Sequence, residues 1–213
     1  MTKAKITFLF FICLTSLSSP AQKTELQNRK SRVGITFSSF GSNDVIYLQQ
    51  ITGAAGYSSD HFYTLGITYL HQYNKHLELE TGIEYSSHKI LITPNVPPYV
   101  DYALYGAEFS LVNIPVSLRV NFWKYFFVNG GLILDIDPTV ASPIDNQTGI
   151  GACLGLGGKY DFACGLSVFA NPYLKAHSLL PFMPDVYHQR VVETGLRFGV
   201  TYSLKNQKLQ AKD

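Results

Sequence analysis

The sequence predicts an all-β fold, an eight-stranded antiparallel transmembrane up-and-down β-barrel. From about Arg32 onward, apolar and polar side chains alternate with a period of two, which is the side-chain repeat of a β-strand. The apolar faces of successive alternating segments coincide when the segments are paired across short turns. These short turns alternate with long connections. Only 15% of the 213 residues are charged, against roughly 25% in an average soluble domain. We therefore expect part of the surface to face something other than water.

The N-terminus has the three parts of a secretory signal. Lys3 and Lys5 precede an apolar run over 6–14, and Ser19-Pro20-Ala21 supplies the small residues that a signal peptidase reads. The apolar run is about half of the ~20 residues that a membrane-spanning helix needs. We therefore expect a signal peptide at 1–21 and export of the rest of the chain.

Charge and composition argue against two classes of function. Without Lys3 and Lys5, 15 of the 17 Lys and Arg residues remain, against 15 Asp and Glu. A nucleic-acid partner is not expected, because displacing phosphate counterions needs an excess of basic residues. Intrinsic disorder is not expected either, because 46% of the residues are hydrophobic and 14% are aromatic.

The first three strands follow from the alternation. The first is predicted at 32–40, with Val33, Ile35 and Phe37 on one face. The second and third flank Tyr73-Asn74-Lys75, and a three-residue turn there pairs Gln72 with His76 and sets Leu65 opposite Ile83. The apolar faces of the two strands then coincide, which is what fixes a register.

The remaining strands are predicted by the same matching of apolar faces across a short turn. A three-residue turn at 123–125 pairs Phe122 with Phe126 and Arg119 with Asn129, and joins strands four and five. A turn at 160–162 pairs Gly158 with Cys164 and joins strands six and seven. The eighth strand is predicted at 190–204. Cys153 and Cys164 then lie on opposite faces of one hairpin and stay unpaired.

The connections alternate in length. Tight turns are predicted at 73–75, 123–125 and 160–162, and long connections at 41–60, 92–107, 138–147 and 175–189. Brief periplasmic turns and longer external loops are typical of bacterial outer-membrane barrels.

The distribution of charge indicates which face meets lipid. In this register the apolar face of strands two to eight carries no Asp, Glu, Lys or Arg. The opposite face is rich in small residues and collects charges of both signs, which we expect to pair as a network that plugs the lumen: Glu78, Glu80, Glu84, Arg119, Asp135, Lys159, Glu193 and Arg197. A soluble lipocalin-like barrel would instead turn the apolar face inward.

Aromatic residues favour the membrane alternative. They surround the predicted short turns, as in the interfacial girdle of a membrane barrel, and comprise Tyr73, Phe122, Trp123, Tyr125, Phe126, Tyr160, Phe162 and Tyr202.

Three segments carry a resemblance to a known group of proteins. The strand-turn-strand at 69–85, the segment Asn113-Ile114-Pro115-Val116-Ser117-Leu118-Arg119-Val120-Asn121-Phe122 and the run Phe127-Val128-Asn129-Gly130-Gly131 resemble small outer-membrane β-barrel proteins. The chain looks most like the PorT-like branch, with OmpA- and OmpX-type barrels as broader relatives. The resemblance covers about 32–204, between a periplasmic segment at 22–31 and a polar tail at 205–213. It implies an eight-stranded barrel in the bacterial outer membrane, inserted by the barrel-assembly machinery, with no catalytic residues.

Several functions fit such a barrel. We expect a non-enzymatic protein without cofactor or metal, surrounded by outer-membrane lipid, with a structural or interaction role, possible attachment to a secretion or surface-assembly system, and a closed polar lumen. The alternatives are a small channel, a soluble carrier and an enzyme that modifies lipid A. Candidate residues for the enzyme are Ser86, Ser87, His88, His177, Ser178, Asp185 and His188. A zinc site of His177, Asp185 and His188 matches no standard ligand spacing.

Two external loops carry apolar and aromatic residues that could contact a protein partner. The second loop has Pro94, Pro97, Pro98, Tyr99, Tyr102 and Tyr105, and the fourth has Leu179, Leu180, Pro181, Phe182, Met183 and Pro184. The alternative, which we favour slightly, is that these side chains pack on one another over the barrel mouth.

Overall fold

The computed structural model describes residues 31–47, 55–95, 103–139, 142–183 and 187–204. The predicted leader, residues 22–30 and the tail at 205–213 lie outside these residues. The described part contains eight strands: β1 (Ser31–Tyr47), β2 (Gly56–Gln72), β3 (Leu77–Thr93), β4 (Tyr105–Phe122), β5 (Phe126–Ile136), β6 (Gly149–Asp161), β7 (Leu166–Pro181) and β8 (Gln189–Leu204). No helix within it is long and apolar enough to cross a membrane.

The strands form one closed antiparallel ring in chain order, and β8 pairs with β1. This confirms the predicted up-and-down barrel. We call the end with the connections β2–β3, β4–β5 and β6–β7 the turn end, and the opposite end the loop end. By the usual rule for such barrels the turn end is periplasmic and the loop end is external.

Several strands are longer than predicted. β1 continues to Tyr47 past an irregularity between Ser39 and Ser42, where Phe40 has a φ of 61°. β7 continues to Pro181, so that the connection predicted at 175–189 shrinks to 182–188. In β1 the bulge shifts the inward positions by one residue, so a strict period of two does not continue through it.

The predicted registers have mixed outcomes. The β4–β5 pairing is confirmed, with Phe122 opposite Phe126 and Arg119 opposite Asn129. The β2–β3 register was wrong by two residues, since Gln72 pairs with Glu78 and not with His76. Asn74 explains the longer turn, because its Oδ1 accepts hydrogen bonds from the amides of His76 and Leu77, both 2.8 Å long.

The β6–β7 register was wrong by six residues. Gly158 pairs with Ala170 and not with Cys164. The chain instead turns over 162–165, where Gly165 has a φ of 90°, a conformation that favours glycine. Both errors are even numbers, so each strand keeps its predicted faces. Cys153 and Cys164 are unpaired: Cys153 is half-buried on β6, and Cys164 is exposed in the turn.

The apolar face points outward. Large apolar side chains form a continuous belt around the barrel, with exposed fractions of 66% at Ile35, 63% at Ile67 and 61% at Leu154. A water-facing surface of this kind would be strongly unfavourable, so the soluble-carrier alternative is wrong for this face, and the belt has the apolar character of the outer face of an outer-membrane barrel.

The outer face is not free of charge along its whole length, which corrects one expectation. Near the loop end of β2, β3 and β4, Lys89 lies 3.5 Å from Glu108 and 4.0 Å from Asp60 on the outer face. Lys89 and Glu108 lie within the predicted strands, on the face that was expected to carry no charge, whereas Asp60 was placed in a connection. The three charges mark where the apolar belt ends.

The eight aromatic residues predicted as a girdle lie at or beside the turn end. Trp123 is 84% exposed and packs edge-on against Phe122 and Phe126. Tyr160 stacks on Tyr125 and meets Phe162 edge-on. Tyr73 and Tyr202 are also exposed. Amphipathic rings at this position suit a membrane–water interface.

Candidate functional site in the barrel lumen

The inward faces of the eight strands form a polar lumen whose wall depends on small residues. A Cβ at Gly199 would lie 2.2 Å from the ring of Phe169, and one at Gly157 would lie 2.3 Å from the ring of Phe127. Glycine at these two positions therefore leaves room for aromatic rings to cross the lumen.

At the turn end, Arg32 begins the series of ion pairs. Its guanidinium donates to Glu78 at 2.5 Å and to Asp161 at 3.1 Å. The ammonium of Lys159 lies 3.7 Å from the same oxygen of Glu78. These side chains line a polar pocket of about 200 Å³.

Further inward, Glu80 joins two arginines. Arg119 donates to Glu80 Oε2 through Nε at 3.1 Å and through Nη2 at 2.8 Å, and Arg197 lies 3.0 Å from Oε1. The guanidinium of Arg119 also lies 4.0 Å from the ring centre of Phe127 and 4.7 Å from that of Phe169. Only 1% of Arg119 is exposed, so this group fills the lumen at its level.

The next group connects β3 to β7 and β8. Lys175 donates to Glu84 at 2.7 Å and lies 3.6 Å from Glu193. The hydroxyl of Tyr173 donates to Glu193 at 2.5 Å and also contacts Ser38. Arg197 lies 3.5 Å from Glu84 and thereby joins this group to the one below.

Nearer the loop end, Asp135 is buried with His177. The Nδ1 atom of His177 lies 2.9 Å from Asp135 Oδ1, and the backbone amide of Ser178 donates to Asp135 Oδ2 at 3.1 Å. All eight predicted lumen charges therefore point inward. Seven of them lie within 4 Å of a group of opposite charge, and Asp135 lies within 4 Å of the His177 imidazole.

The network also contains residues that were not predicted as members of it, among them Arg32, Tyr173 and Lys175. Lys175 was placed in a long connection, although Phe169, Asn171, Tyr173 and Lys175 continue one alternating face. Following that face to its end would have found Lys175, because the register error leaves the faces of β7 unchanged.

The residues proposed for lipid A chemistry are only partly brought together. Ser86, His88, His177 and Ser178 are all fully buried in the lumen. Ser86 bonds to Thr64 and Asn113, and Ser178 bonds to His188 at 3.2 Å. Ser87 lies on the outer face, and Asp185 lies outside the described residues. The structure instead brings His88, His177 and Glu193 together.

An apolar cap closes the lumen at the loop end. It consists of Val45, Ile90, Ile92, Phe109, Leu111, Ile144 and Val191. Ile144 comes from the β5–β6 connection, and Gln147 of that connection donates to the carbonyls of Asp145 at 2.7 Å and Gln189 at 2.8 Å. This cap was not predicted from the sequence, although the inward positions of β3 and β4 become apolar towards their loop ends.

Apolar side chains on the fourth external loop stay exposed. Leu180 is 66% exposed, Phe182 is 57% exposed and Met183 is 74% exposed. The favoured expectation that these residues pack over the mouth is wrong for these three, and the cap described above covers the mouth instead. Tyr105 is also exposed, and 96–102 of the second loop lie outside the described residues.

The fold is similar to that of solved outer-membrane proteins. The outer membrane protein AlkL, solved in lipid bilayers, aligns with a TM-score of 0.56 at 13% identity, covering 92% of this chain and 98% of that one. OprG from Pseudomonas aeruginosa has a TM-score of 0.47 at 13% identity, covering 84% and 99%. The translocator domain of NalP from Neisseria meningitidis has a TM-score of 0.36 at 13% identity, covering 95% and 98%.

No model of a protein family matches the chain, and no curated protein sequence matches it. The likeness to solved structures is therefore one of fold. Together with the exposed apolar belt, this fold places the chain in the bacterial outer membrane.

Proposed function

We propose that the chain is a closed, non-enzymatic outer-membrane barrel with a structural or interaction role. The observation that carries the proposal is the ion pairing across the lumen, above all Lys175 on β7 with Glu84 on β3 at 2.7 Å. Buried ion pairs of this kind are costly to break, because separation leaves an uncompensated charge. The apolar cap closes the same lumen a second time at the loop end.

The external end supplies a surface for a protein partner. Leu180, Phe182 and Met183 are exposed together on the last loop and the adjoining end of β7, and exposed apolar residues at one place are typical of interaction sites. The PorT-like resemblance in the sequence suggests a partner in secretion or surface assembly. Insertion by the barrel-assembly machinery is part of the same proposal.

The burial of the histidines supports the absence of lipid A chemistry. His88 and His177 are fully buried inside the barrel, whereas an enzyme acting on lipid A needs its catalytic groups accessible from the membrane. Expression of the protein is therefore expected to leave the mass spectrum of lipid A unchanged. A new lipid A species that disappears in His177→Ala would contradict the proposal.

Conductance across planar bilayers tests the closed lumen. The folded wild-type protein is expected to show no discrete current steps. The double variant Glu84→Ala/Lys175→Ala removes the ion pair together with the side chains that fill this level, and is expected to show intermittent steps. The control is Lys89→Ala, which removes a lysine on the outer face and should stay silent. Steady steps from the wild type would overturn the closed-lumen proposal.

A photo-crosslinking amino acid at Phe182 tests the partner surface in cells. We expect one discrete protein adduct from this position, and none from a matched position at Leu154, which is 61% exposed on the lipid-facing belt. Phe182→Glu should abolish function in the pathway to which the adduct belongs. Identical adduct patterns from both positions would contradict a specific interface.

A further inference from the structure

Three buried side chains with metal-binding atoms meet in the lumen near the loop end. His88 comes from β3, His177 from β7 and Glu193 from β8, and each is 0% exposed. Glu193 Oε2 lies 3.5 Å from His88 Nε2 and 3.8 Å from His177 Nε2. One possible ligand atom from each of the three residues lies within 4.8 Å of the other two.

None of these three atoms has a hydrogen-bond partner within the described protein. The other carboxylate oxygen of Glu193 is satisfied, because it accepts from Tyr173 at 2.5 Å and lies 3.6 Å from the Lys175 ammonium. Buried polar atoms in proteins are nearly always partnered. Three buried ligand atoms that lie this close together without a geometric hydrogen bond favour a shared ligand between them.

The two histidines are held in place by their neighbours. Asp135 lies 2.9 Å from His177 Nδ1, and a proton donated there leaves Nε2 with its lone pair free. A carboxylate behind a ligating histidine is the usual way in which proteins orient such a ligand. The ring of His88 is stacked between Phe62 and Phe109, with centroid distances of 6.0 and 4.9 Å, and its Nδ1 makes only a long contact of 3.5 Å to Asn43.

We propose that His88, His177 and Glu193 bind a divalent transition-metal ion of the zinc class. In a tetrahedral site with bonds of about 2.0–2.1 Å, neighbouring ligand atoms lie roughly 3.4 Å apart, close to the observed 3.5 and 3.8 Å. Two imidazoles and one carboxylate suit zinc and related ions. Calcium and magnesium prefer oxygen ligands throughout.

The position of the site suggests a structural role for the ion. His88 lies across the lumen from His177 and Glu193, so the ion braces β3 against β7 and β8. The apolar cap lies over this part of the lumen. The ion therefore enters before the cap closes, during folding, and exchanges slowly afterwards.

Cobalt binding to the full mature chain tests the proposal. The protein is refolded into detergent micelles without metal and then with Co²⁺ alone. We expect one Co²⁺ per chain, a visible absorption band of low-coordinate Co²⁺ that Zn²⁺ abolishes, and a higher temperature for loss of the folded gel band. His88→Ala, His177→Ala and Glu193→Gln should each remove the band. Asp135→Asn should weaken binding about 10–100-fold.

Two controls distinguish Co²⁺ binding at this site from Co²⁺ binding elsewhere on the protein. Glu108→Gln removes a carboxylate on the outer rim of the barrel and should retain Co²⁺ binding. The exposed residues His61 and His76 remain in every variant, so binding by surface histidines would survive His88→Ala. If an alanine variant gives no folded gel band, His88→Gln and His177→Gln replace it with little change of volume.

Less than one tightly bound Co²⁺ per folded wild-type chain would overturn the proposal. Binding that persists in the His88 and His177 variants would overturn it too. Neither result bears on the closed lumen, because the conductance measurement is made without added metal.

Discussion

Lys175 illustrates how single residues hold the lumen closed. It is 4% exposed and lies between Glu84 and Glu193, which belong to strands on opposite sides of the lumen. An unpaired charge in such a place is far more costly than the pair. The network thus depends on both signs of charge being present at each level.

We expect Lys175→Met to lower the free energy of unfolding by about 3–5 kcal/mol, because it leaves buried carboxylates without their nearest cation. Urea unfolding in lipid vesicles measures the change. Lys89→Met on the partly exposed outer rim should change it by less than about 1 kcal/mol. Adding Glu84→Gln to Lys175→Met should recover part of the loss, and an equal or larger loss in the double variant would contradict the role assigned to the pair.

At the level of single residues, the sequence predicts which side chains face the lumen but not which of them pair. Strand parity alone places Glu80, Arg119 and Arg197 on one face. The pairs need the register and the closure of the ring, since Arg197 on β8 reaches Glu80 on β3 across two intervening strands. The sequence likewise does not predict that His88 and His177 lie close together, because this also depends on the register and the closure of the ring.

At the level of the strands, the length of each turn determines whether the predicted register is correct. The β4–β5 register could be predicted because the chain turns over the three residues that the matching of apolar faces indicated, which sets Val116 opposite Leu132. The β2–β3 turn is longer, because the side chain of Asn74 bonds two backbone amides. Hydrophobic alternation cannot detect such a change, since a shift of two residues leaves every side chain on its own face.

Strand β8 depends on Gly199 for its close approach to β7. A valine there would place its Cβ within 2.2 Å of the Phe169 ring, which also packs against Arg119 and Arg197. We expect Gly199→Val to destabilise the barrel by roughly 1–3 kcal/mol. The measurement is the fraction of chain that runs as the folded, heat-sensitive gel band across a urea series.

Gly56→Val is the matched control for this prediction. Its Cβ would lie 3.6 Å from Thr93, an ordinary contact, so the folded fraction should match the wild type. If both valine variants fold as well as the wild type, the ring of Phe169 is not held as described.

For the whole molecule, the exposed apolar belt on the outer face determines which solvent the folded barrel needs. Leu65 is 53% exposed on the outer face of β2, and the charged group of Asp60, Lys89 and Glu108 limits the belt towards the loop end. An eight-stranded ring with this surface is stable only when lipid or detergent covers it.

We expect Leu65→Arg to cost about 2–4 kcal/mol of unfolding free energy in lipid vesicles, because the arginine would lie within the hydrocarbon. Leu104→Arg replaces a leucine that is 60% exposed at the loop end, and should cost no more than about 1 kcal/mol. Equal costs at the two positions would show that the belt does not lie in lipid.

Cys153 and Cys164 are unpaired and differ in exposure, so their reactivity can report whether the barrel has assembled. Cys164 lies exposed in the β6–β7 turn, whereas Cys153 is half-buried on β6, where its side chain faces the lumen. A bulky thiol reagent should therefore label one site per assembled chain and both sites per unassembled chain. Counting the adducts by mass spectrometry during refolding would time the closure of the ring without any substitution. Double labelling that persists after the folded gel band has formed would mean that the lumen admits the reagent.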